Sequence, residues 1–250
     1  MRILLVNDDG IHAPGLAVLE EIVRELTDDV WVVAPQTEQT AMSHALTTHR
    51  PLRIHQHDER HFSVDGTPAD CVLLALRQIM VEKMPDFVLS GINMGPNISS
   101  DIFYSGTVAA AMEAGIVGIP AIALSQCRVS RSEINWNVAK RQGPGIIRKI
   151  MENGVPKGTL LNVNFPAVAG DGECPVKVVR QGNRFVSSKV EKREDPRGRI
   201  YYWNAGGRNI LAAEVDTDLA QVQAGGISIT PISLDLTHLS AIAALEKVFV

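Results

Sequence analysis

The sequence predicts an α/β protein with a Rossmann-like three-layer sandwich and a mainly parallel sheet, extended by a C-terminal β-hairpin arm and tail. Short apolar runs alternate with amphipathic stretches through the first half of the chain, a pattern typical of β-α-β units with right-handed crossovers. Hydrophobic residues make up 45% of the 250 positions, enough for a sizeable core. We expect one domain over residues 1–250, with a core over about 1–170 and an extension over about 175–250.

The first half of the chain supplies most of the predicted core elements. Pro35 ends the second strand, and Pro68 lies in the turn ahead of a helix, where proline is favoured. In chain order the pattern predicts a strand over Arg2–Val6, a helix over Leu16–Leu26, a strand over Val30–Ala34, a loop with an edge strand or hairpin within Gln36–His61, a helix over Asp70–Met80, a strand over Phe87–Leu89, a helix over Thr107–Ala114 and a strand over Ile119–Leu124.

The second half of the chain has a less regular pattern. Leu160–Phe165 and Ile227–Ile232 are apolar runs typical of strands, and Ala241–Phe249 has the pattern of a closing amphipathic helix. Between the two strands, Val176–Trp203 is charged, rich in β-branched residues and interrupted by glycine and proline. This composition favours a hairpin extension that protrudes from the core.

Charge and composition narrow the partners and the location. The formal net charge is -4 and the sequence pI is about 6.0, so no overall basic field would attract a nucleic-acid polymer. The first apolar run is too short for a signal peptide, and no run approaches the roughly 20 residues of a membrane span. The 3 cysteines are far apart and indicate neither a zinc ribbon nor a disulfide framework. We expect a cytoplasmic protein without membrane contact.

Two adjacent carboxylates follow the first predicted strand. Asn7-Asp8-Asp9-Gly10 comes directly after Val6, and open parallel sheets bind ligands beyond the carboxyl ends of their strands. Neighbouring carboxylates repel each other unless a divalent cation neutralises them, and oxygen ligands favour a hard ion such as Mg²⁺, Mn²⁺ or Ca²⁺. On the pattern alone, Asp9-Gly10 is equally well explained as a turn with an aspartate cap.

Two further polar clusters lie where a ligand site is expected. Ser90–Asn97 follows the third core strand; its glycines allow close approach to the backbone, and its amides can bind a metal or a phosphate. Tyr104–Thr107 precedes a helix, whose first amides and positive dipole end favour an anion. Taken alone, the first cluster also fits a generic loop, and the second fits a plain N-cap by Ser105 or Thr107.

These clusters belong to a longer set of ordered motifs. The motifs are Met1–Gly10 with Ala13-Pro14-Gly15, Val33-Ala34-Pro35, Asp65–Val72, Ser90–Asn93, Tyr104–Glu113, Leu161–Pro166 and Ile227–Pro231. Together they resemble the SurE survival proteins, a family of metal-dependent 5'/3'-nucleotidases. The resemblance spans nearly the whole chain, whereas any single motif would be weak evidence.

The resemblance implies one divalent metal ion per subunit, Mg²⁺ or Mn²⁺, held by Asp8, Asp9, Asn93 and a hydroxyl residue in the loop after Pro35. In the family that residue is typically serine, within a stretch that carries basic residues. Here Thr40 takes the position and the basic residues are missing. Asp8 and Asp9 are also the expected catalytic residues. The expected substrate-binding residues are Asn7, Asn93, Asn97, Ser105, Gly106 and Thr107.

The expected reaction is the hydrolysis of nucleoside 5'- and 3'-monophosphates to nucleoside and phosphate. Two routes stay open: water attacks while Asp8 or Asp9 accepts its proton, or Asp8 forms an aspartyl-phosphate. The alternative function is a non-catalytic nucleotide-binding or assembly module on the same fold. A Rossmann dehydrogenase or nucleotide-sugar transferase fits the β-α-β opening, but the loop after the first strand lacks the G-x-G-x-x-G pattern.

The resemblance also implies self-association. In the family, the charged segment Arg180–Arg199 corresponds to a protruding hairpin used in dimer or tetramer contacts, and Asp235–His238 to the hinge of an exchanged tail. We therefore expect a homodimer or a homotetramer. The mixed charges of the segment are also compatible with a solvated face.

Overall fold

The computed structural model describes residues 1–130, 133–167, 172–183, 189–204 and 214–249. A nine-stranded mixed sheet lies between helices, and two further strands form a separate hairpin. The strands are β1 (Ile3–Val6), β2 (Val30–Pro35), β3 (Ile54–Gln56), β4 (His61–Val64), β5 (Phe87–Met94), β6 (Ala121–Gln126), β7 (Thr159–Phe165), β8 (Val176–Val178), β9 (Val190–Glu194), β10 (Ile200–Asn204) and β11 (Ile227–Ser233). The α-helices are α1 (Pro14–Arg24), α2 (Pro68–Leu74), α3 (Gly106–Ile116), α4 (Asn137–Asn153), α5 (Asp218–Gln223) and α6 (Leu239–Phe249).

The sheet has the strand order β3-β4-β2-β1-β5-β6-β7-β11-β8. The pairings from β4 through β7 are parallel, and so is that of β8 with β11. β3 runs antiparallel to β4, and β11 runs antiparallel to β7. The α/β class with a mainly parallel sheet is therefore confirmed. The strand order reverses at β1, which lies between β2 and β5, and such a switch point is where open α/β sheets bind ligands.

Each face of the sheet has its own apolar core. Ile3 and Leu5 of β1 belong to the core that α1 and α4 cover, whereas Leu4 and Val6 belong to the core under α2 and α3. Successive side chains of a strand point to opposite faces, so a strand covered on both sides is apolar at every position. This is why the opening apolar run predicts a buried strand. Its polar continuation emerges at the carboxyl end of that strand.

The third core strand is longer than the sequence predicts. β5 continues to Met94 and keeps pairing with β6, with a shift of register between Ser90 and Asn93. Gly91 makes this possible: it has a φ of +141°, and a Cβ atom there would lie 2.3 Å from the Leu124 carbonyl oxygen. The loop predicted over Ser90–Asn97 was therefore wrong for Ser90–Met94, because the irregularity bends the strand without ending it.

The helices also differ from the prediction at identifiable positions. The pattern does not predict α4, because Gly143-Pro144-Gly145 interrupts it, although Pro144 lies buried inside the helix. The predicted helix Asp70–Met80 is divided: α2 ends at Leu74, and a π-helical turn follows over Ala75–Ile79. Helix α5 and a 3-10 turn over Ser99–Tyr104 are further elements without a clear sequence pattern.

The predicted hairpin extension is correct in part. β9 and β10 form an antiparallel hairpin, but β8, at the start of the predicted extension, joins the edge of the main sheet beside β11. The edge strand predicted near Ile54 is confirmed as β3. α6 has no buried residue. In the ranges that the structure describes, no helix has both the length and the apolar character that a bilayer crossing requires.

Candidate active site

The candidate site begins in the turn after β1. Asn7 Nδ2 donates to the Gly10 carbonyl at 2.8 Å, and the Gly10 amide donates back to Asn7 Oδ1 at 3.2 Å. Gly10 has a φ of +103°, which favours glycine. The carbonyl of Asp8 accepts a hydrogen bond from the Gln39 amide at 2.7 Å. Asn7 therefore uses its amide to hold the turn that presents Asp8 and Asp9, and its predicted contact with substrate stays a prediction.

Asp8 lies under the start of α3 and is 4% exposed. The Thr107 hydroxyl donates to Asp8 Oδ1 at 2.6 Å, across 99 positions of sequence. Gly106 allows the close approach, because a Cβ atom there would lie 2.8 Å from Asp8 Cβ and 3.0 Å from Pro68 Cγ. The structure thus brings together Asp8, Gly106 and Thr107, which the sequence analysis selected from two separate motifs.

Both carboxylates have raised pKa values. Burial raises the pKa of Asp8 from 3.8 to about 7; the Thr107 hydrogen bond opposes the shift, and the charges of Asp9 and Glu38 add to it. Burial also raises the pKa of Asp9, against the hydrogen bond from the Met94 amide. A bound cation would reverse this situation, because it favours the ionised form of both groups.

Asp9 faces the irregular end of β5. The Met94 amide donates to Asp9 Oδ2 at 3.3 Å. Next to Met94, Asn93 donates from Nδ2 to the Gly95 carbonyl at 2.8 Å, which leaves Oδ1 as the atom suited to a cation. The bend in β5 therefore places the side chain of Asn93 at the same end of the sheet as the two acids, and its role as a ligand stays a prediction.

The loop after β2 carries Thr40, the predicted hydroxyl ligand. The hydrogen bond between the Gln39 amide and the Asp8 carbonyl holds this loop beside the site. Thr40 itself is exposed, and its hydroxyl donates to the Glu38 carboxylate. The loop thus lies beside Asp8, the Thr40 hydroxyl has an acidic partner, and its role as a metal ligand stays a prediction.

The same loop is fastened to the region before and within α3. Ser43 Oγ donates to the Phe103 carbonyl at 2.7 Å, and the Ser43 amide donates to the Tyr104 carbonyl at 3.2 Å. His44 Nε2 lies 2.8 Å from Glu113 Oε2 of α3. These contacts join the loop after β2 and the start of α3 into one side of the site.

Ser105 caps the start of α3, where Gly106 and Thr107 are buried. Ser105 Oγ accepts from the Val108 amide at 3.1 Å, while the Ser105 amide donates to the Ile102 carbonyl at 3.3 Å. The first amides of a helix have no partner within it, so those of Gly106 and Thr107 suit phosphate oxygens. The cap and the anion site, which the sequence analysis treated as alternatives, are compatible in the structure.

Asn97 lies in a buried polar network rather than on an open loop. Its amide donates to Asn164 Oδ1 at 2.8 Å, and its Nδ2 donates to Ser125 Oγ at 2.9 Å. Its carbonyl accepts from Asn162 Nδ2 at 2.7 Å and from Asn164 Nδ2 at 3.2 Å. The network anchors the segment between β5 and α3, and a contact of Asn97 with substrate stays a prediction.

The sequence analysis missed two charged neighbours of the acids. Glu38 raises the pKa of Asp9 and Arg128 lowers it. Arg128 follows β6 closely, and its Nε donates to the Met94 carbonyl at 2.8 Å. Glu38 and Arg128 each stand four residues after the end of a predicted strand, at Ala34 and Leu124, so the strand-end rule that selected Asp8 and Asp9 would also have selected both.

The donors at the site fit a hard divalent cation. Among the residues that the structure describes, no three His, Cys, Asp or Glu side chains gather into a metal-binding group. A cation at Asp8 and Asp9 would therefore complete its shell with neutral oxygens, such as those of Asn93 and Thr40, or with water. Such an all-oxygen shell favours magnesium or manganese over zinc.

Comparisons with known proteins identify the family of the chain. A family profile described as "Survival protein SurE" matches residues 3–188. A protein named 5'-nucleotidase SurE from Paramagnetospirillum magneticum is 47% identical over 100% of this chain and 96% of its own length. Another of that name from Bradyrhizobium sp. (strain ORS 278) is 49% identical over 95% of each chain. The crystal structure of SurE protein from Aquifex aeolicus has a TM-score of 0.86 at 41% identity and covers 100% of both chains.

Proposed function

The chain belongs to the SurE family, and from this we infer that it is a 5'-nucleotidase, which hydrolyses nucleoside 5'-monophosphates to nucleoside and phosphate. One observation carries the inference at the level of chemistry: the buried Asp8, next to Asp9, accepts a hydrogen bond from Thr107 at the N-terminus of α3. Paired carboxylates suit a cation and a helix N-terminus suits a phosphate, so one site binds both.

We propose that one Mg²⁺ or Mn²⁺ ion per subunit is held by Asp8, Asp9, Asn93 and Thr40. When bound, the ion supplies Lewis-acid stabilisation of the negative charge that develops on the phosphoryl oxygens. The bent end of β5 supports the place of Asn93, and the bond between Gln39 and Asp8 supports that of the Thr40 loop. The Thr40 hydroxyl donates its proton to Glu38, which leaves the lone pairs of its oxygen for the ion.

The protein groups bind the phosphate and move one proton. The amides of Gly106 and Thr107 hold phosphoryl oxygens, and Asp8 or Asp9 accepts the proton of the attacking water as the ester bond breaks. The competing route is attack by the Asp8 carboxylate, followed by hydrolysis of the aspartyl-phosphate. Acid quenching during turnover of phosphate-labelled AMP decides between them, because only the covalent route leaves label on the protein.

Phosphate release from AMP tests the proposed function. We expect release with Mn²⁺ or Mg²⁺, none with EDTA, and recovery when the cation is restored. Release from 3'-AMP in the same assay tests the proposed activity toward 3'-monophosphates. Binding of AMP without release under every metal condition would contradict the enzyme and leave a nucleotide-binding module.

We also propose a homodimer or a homotetramer. Support comes from the hairpin β9–β10, where Tyr201, Tyr202 and Trp203 are all exposed, and from α6, which buries no residue. Exposed aromatic surface of this kind favours protein contacts. Light scattering should give a mass of two or four chains for the wild type and a lower mass for Trp203→Glu. A wild-type mass of one chain would contradict the proposal.

A cytoplasmic location completes the proposal. The 3 cysteines stand far apart in the sequence, and none is predicted to take part in a disulfide framework. This usage suits a reducing compartment. Cell fractionation tests the location, and recovery in an extracytoplasmic fraction would contradict it.

A further inference from the structure

Ser99 has a backbone conformation that is unusual for a buried residue other than glycine. It is 0% exposed and has a φ of +55°, in the left-handed region. Such a conformation in a residue with a side chain is costly and persists only where surrounding contacts hold it. Ser99 is the first residue of the 3-10 turn that leads from Asn97 to Ser105, so its conformation sets the direction of the chain into the start of α3.

Asp218 supplies the contacts that hold Ser99. Its Oδ2 accepts from the Ser99 amide at 2.8 Å, and its Oδ1 accepts from the Ser99 hydroxyl at 3.3 Å. The same Oδ1 accepts from the Gly182 amide at 2.9 Å and from the Leu219 amide at 2.7 Å. Asp218 is 0% exposed. Its carboxylate is therefore enclosed by donors and fixes two distant chain segments to each other.

The residues around Asp218 form the base of the hairpin arm, defined here as Arg180–Gly182 and Asp216–Asp218. These two segments flank the hairpin β9–β10 in sequence and bond to each other: the Arg180 amide donates to the Asp216 carbonyl, and the Asp218 amide to the Arg180 carbonyl. Gln181 Nε2 adds a bond of 2.9 Å to the Ser99 carbonyl. The base of the arm thus grips the backbone of Ser99 on both sides.

We propose that Asp218 is a positioning residue of the nucleotidase site, acting through Ser99 to place Asn97 and the start of α3 for phosphate binding. This inference rests on the proposed function. Asp218 contacts none of the proposed metal ligands in the hydrogen bonds described, and it sits on α5, far along the chain from Asp8 and Asp9. Loss of its carboxylate should therefore weaken nucleotide binding and leave metal binding in place.

Asp218→Asn tests the proposal, because an asparagine places an amide donor opposite at least one of the amides that Asp218 accepts from. We expect the KM for AMP to rise about 10-fold, since small displacements of substrate-binding groups are costly, with unchanged affinity for Mn²⁺. Adding Ser99→Gly to this variant should restore part of the KM, because glycine adopts the φ of Ser99 without strain. If Asp218 only stabilises the fold, Asp218→Asn should lower the melting temperature but leave the KM unchanged, and Ser99→Gly would have no raised KM to restore.

Thr217→Ala is the matched control. Thr217 caps α5 by accepting from the Ala220 amide at 3.3 Å and bonds to the Glu214 carbonyl at 2.7 Å, but its hydroxyl has no bond with Ser99 in the contacts described. We expect a lower melting temperature and the wild-type KM. If Thr217→Ala raises KM as Asp218→Asn does, or if Asp218→Asn keeps the wild-type KM, the proposal is overturned.

Two measurements keep the test decisive. If Asp218→Asn does not fold, Gln181→Ala replaces it, with a smaller rise in KM expected and an unchanged KM overturning the proposal. Calorimetric titration with AMP reads the same change as a dissociation constant. A wild type that binds AMP without turnover would therefore refute the nucleotidase function while the binding constants still decide the role of Asp218. A wild type that does not bind AMP overturns both.

Discussion

Asp8 and Asp70 are both buried carboxylates, but the fold treats them differently. They are 4% and 1% exposed. Asp70 accepts from the amide and hydroxyl of Thr47, at 3.0 and 2.6 Å, and from the Thr67 amide at 2.9 Å. Asp8 accepts from the Thr107 hydroxyl and has a second acid, Asp9, beside it in the chain. The fold surrounds one carboxylate with donors and sets the other next to a like charge.

We propose that the difference separates a structural acid, Asp70, from a functional one, Asp8. A buried ionised carboxylate is costly unless donors or a cation compensate it. The fold itself compensates Asp70, which closes a capping box with Thr67 at the start of α2. Asp8 has fewer donors, and in our proposal a bound cation compensates its charge. The same substitution, aspartate to asparagine, should therefore have opposite consequences at the two positions.

The largest expected effect is the loss of turnover on Asp8→Asn or Asp9→Asn. We expect metal-dependent phosphate release to fall by about 10³-fold or more, because the cation loses a charged ligand. The folded pKa of Asp8, about 7 against an ordinary 3.8, means that metal-free protein loses stability as pH rises between these values. In EDTA above that range, Asp8→Asn should therefore melt no lower than the wild type. Wild-type turnover in a variant that carries both Asp8→Asn and Asp9→Asn would refute the proposed active site.

The next effect concerns the space between Asp8 and α3. In Gly106→Ala the new methyl group would lie 2.8 Å from Asp8 Cβ, so the start of α3 must move. We expect kcat/KM for AMP to fall by about 10- to 100-fold. Gly145→Ala in α4 is the matched control, because its Cβ would meet nothing within 4 Å and alanine favours a helix. Equal activity of the two variants would show that the close approach is not needed.

The sequence pattern selects Asp8 as a candidate ligand, but it reveals only part of what surrounds Asp70. Asp8 and Asp9 follow a run that is apolar at every position, so the rule that ligands bind at strand ends selects them from the residue pattern alone. Asp70, at the third position of a helix after Thr67, has the pattern of a capping box. Its partner Thr47 gives no such signal, because a contact between a loop and a helix depends on the path of the loop.

The parts of the fold that escaped prediction are those in which tertiary packing overrides local pattern. β5 passes through Gly91 and continues, because its neighbour β6 offers backbone partners on the far side of the irregularity. α4 tolerates Pro144 because the helix is packed against the core around it. The bond of Ser99 to Asp218 joins positions 119 apart and has no periodicity that a sequence pattern could reveal.

A smaller effect is expected at the second acid of the comparison. Asp70→Asn places an amide group opposite at least one donor and should cost about 1–3 kcal/mol of unfolding free energy. Turnover by the folded fraction should stay close to that of the wild type, since Asp70 is not among the proposed ligands. Denaturant unfolding and the kcat for AMP measure the two quantities. An unchanged stability, or a loss of kcat as large as that of Asp8→Asn, would remove the distinction between the acids.

The smallest expected effect is on stability, and it concerns two acids that share a titratable partner, His61. His61 lies 2.8 Å from Asp58 and 3.1 Å from Glu20. Burial lowers the pKa of His61, but the hydrogen bonds that it donates to these acids outweigh burial and raise the pKa above 6.5. The stabilisation is thus complete below the ordinary pKa and is lost as pH rises through the folded one.

His61→Gln should therefore lower the melting temperature of the protein in acid more than in alkali. The difference from the wild type should be largest below about pH 6 and nearly gone above about pH 9, with a size under about 1 kcal/mol, as for pairs near the surface. Thermal unfolding of both proteins across this range, in EDTA and with Asp8→Asn as the background, isolates the effect from the active site. A difference that grows with pH would show that the histidine is not held by its charge, and that an acid near the surface of this fold needs no cationic partner.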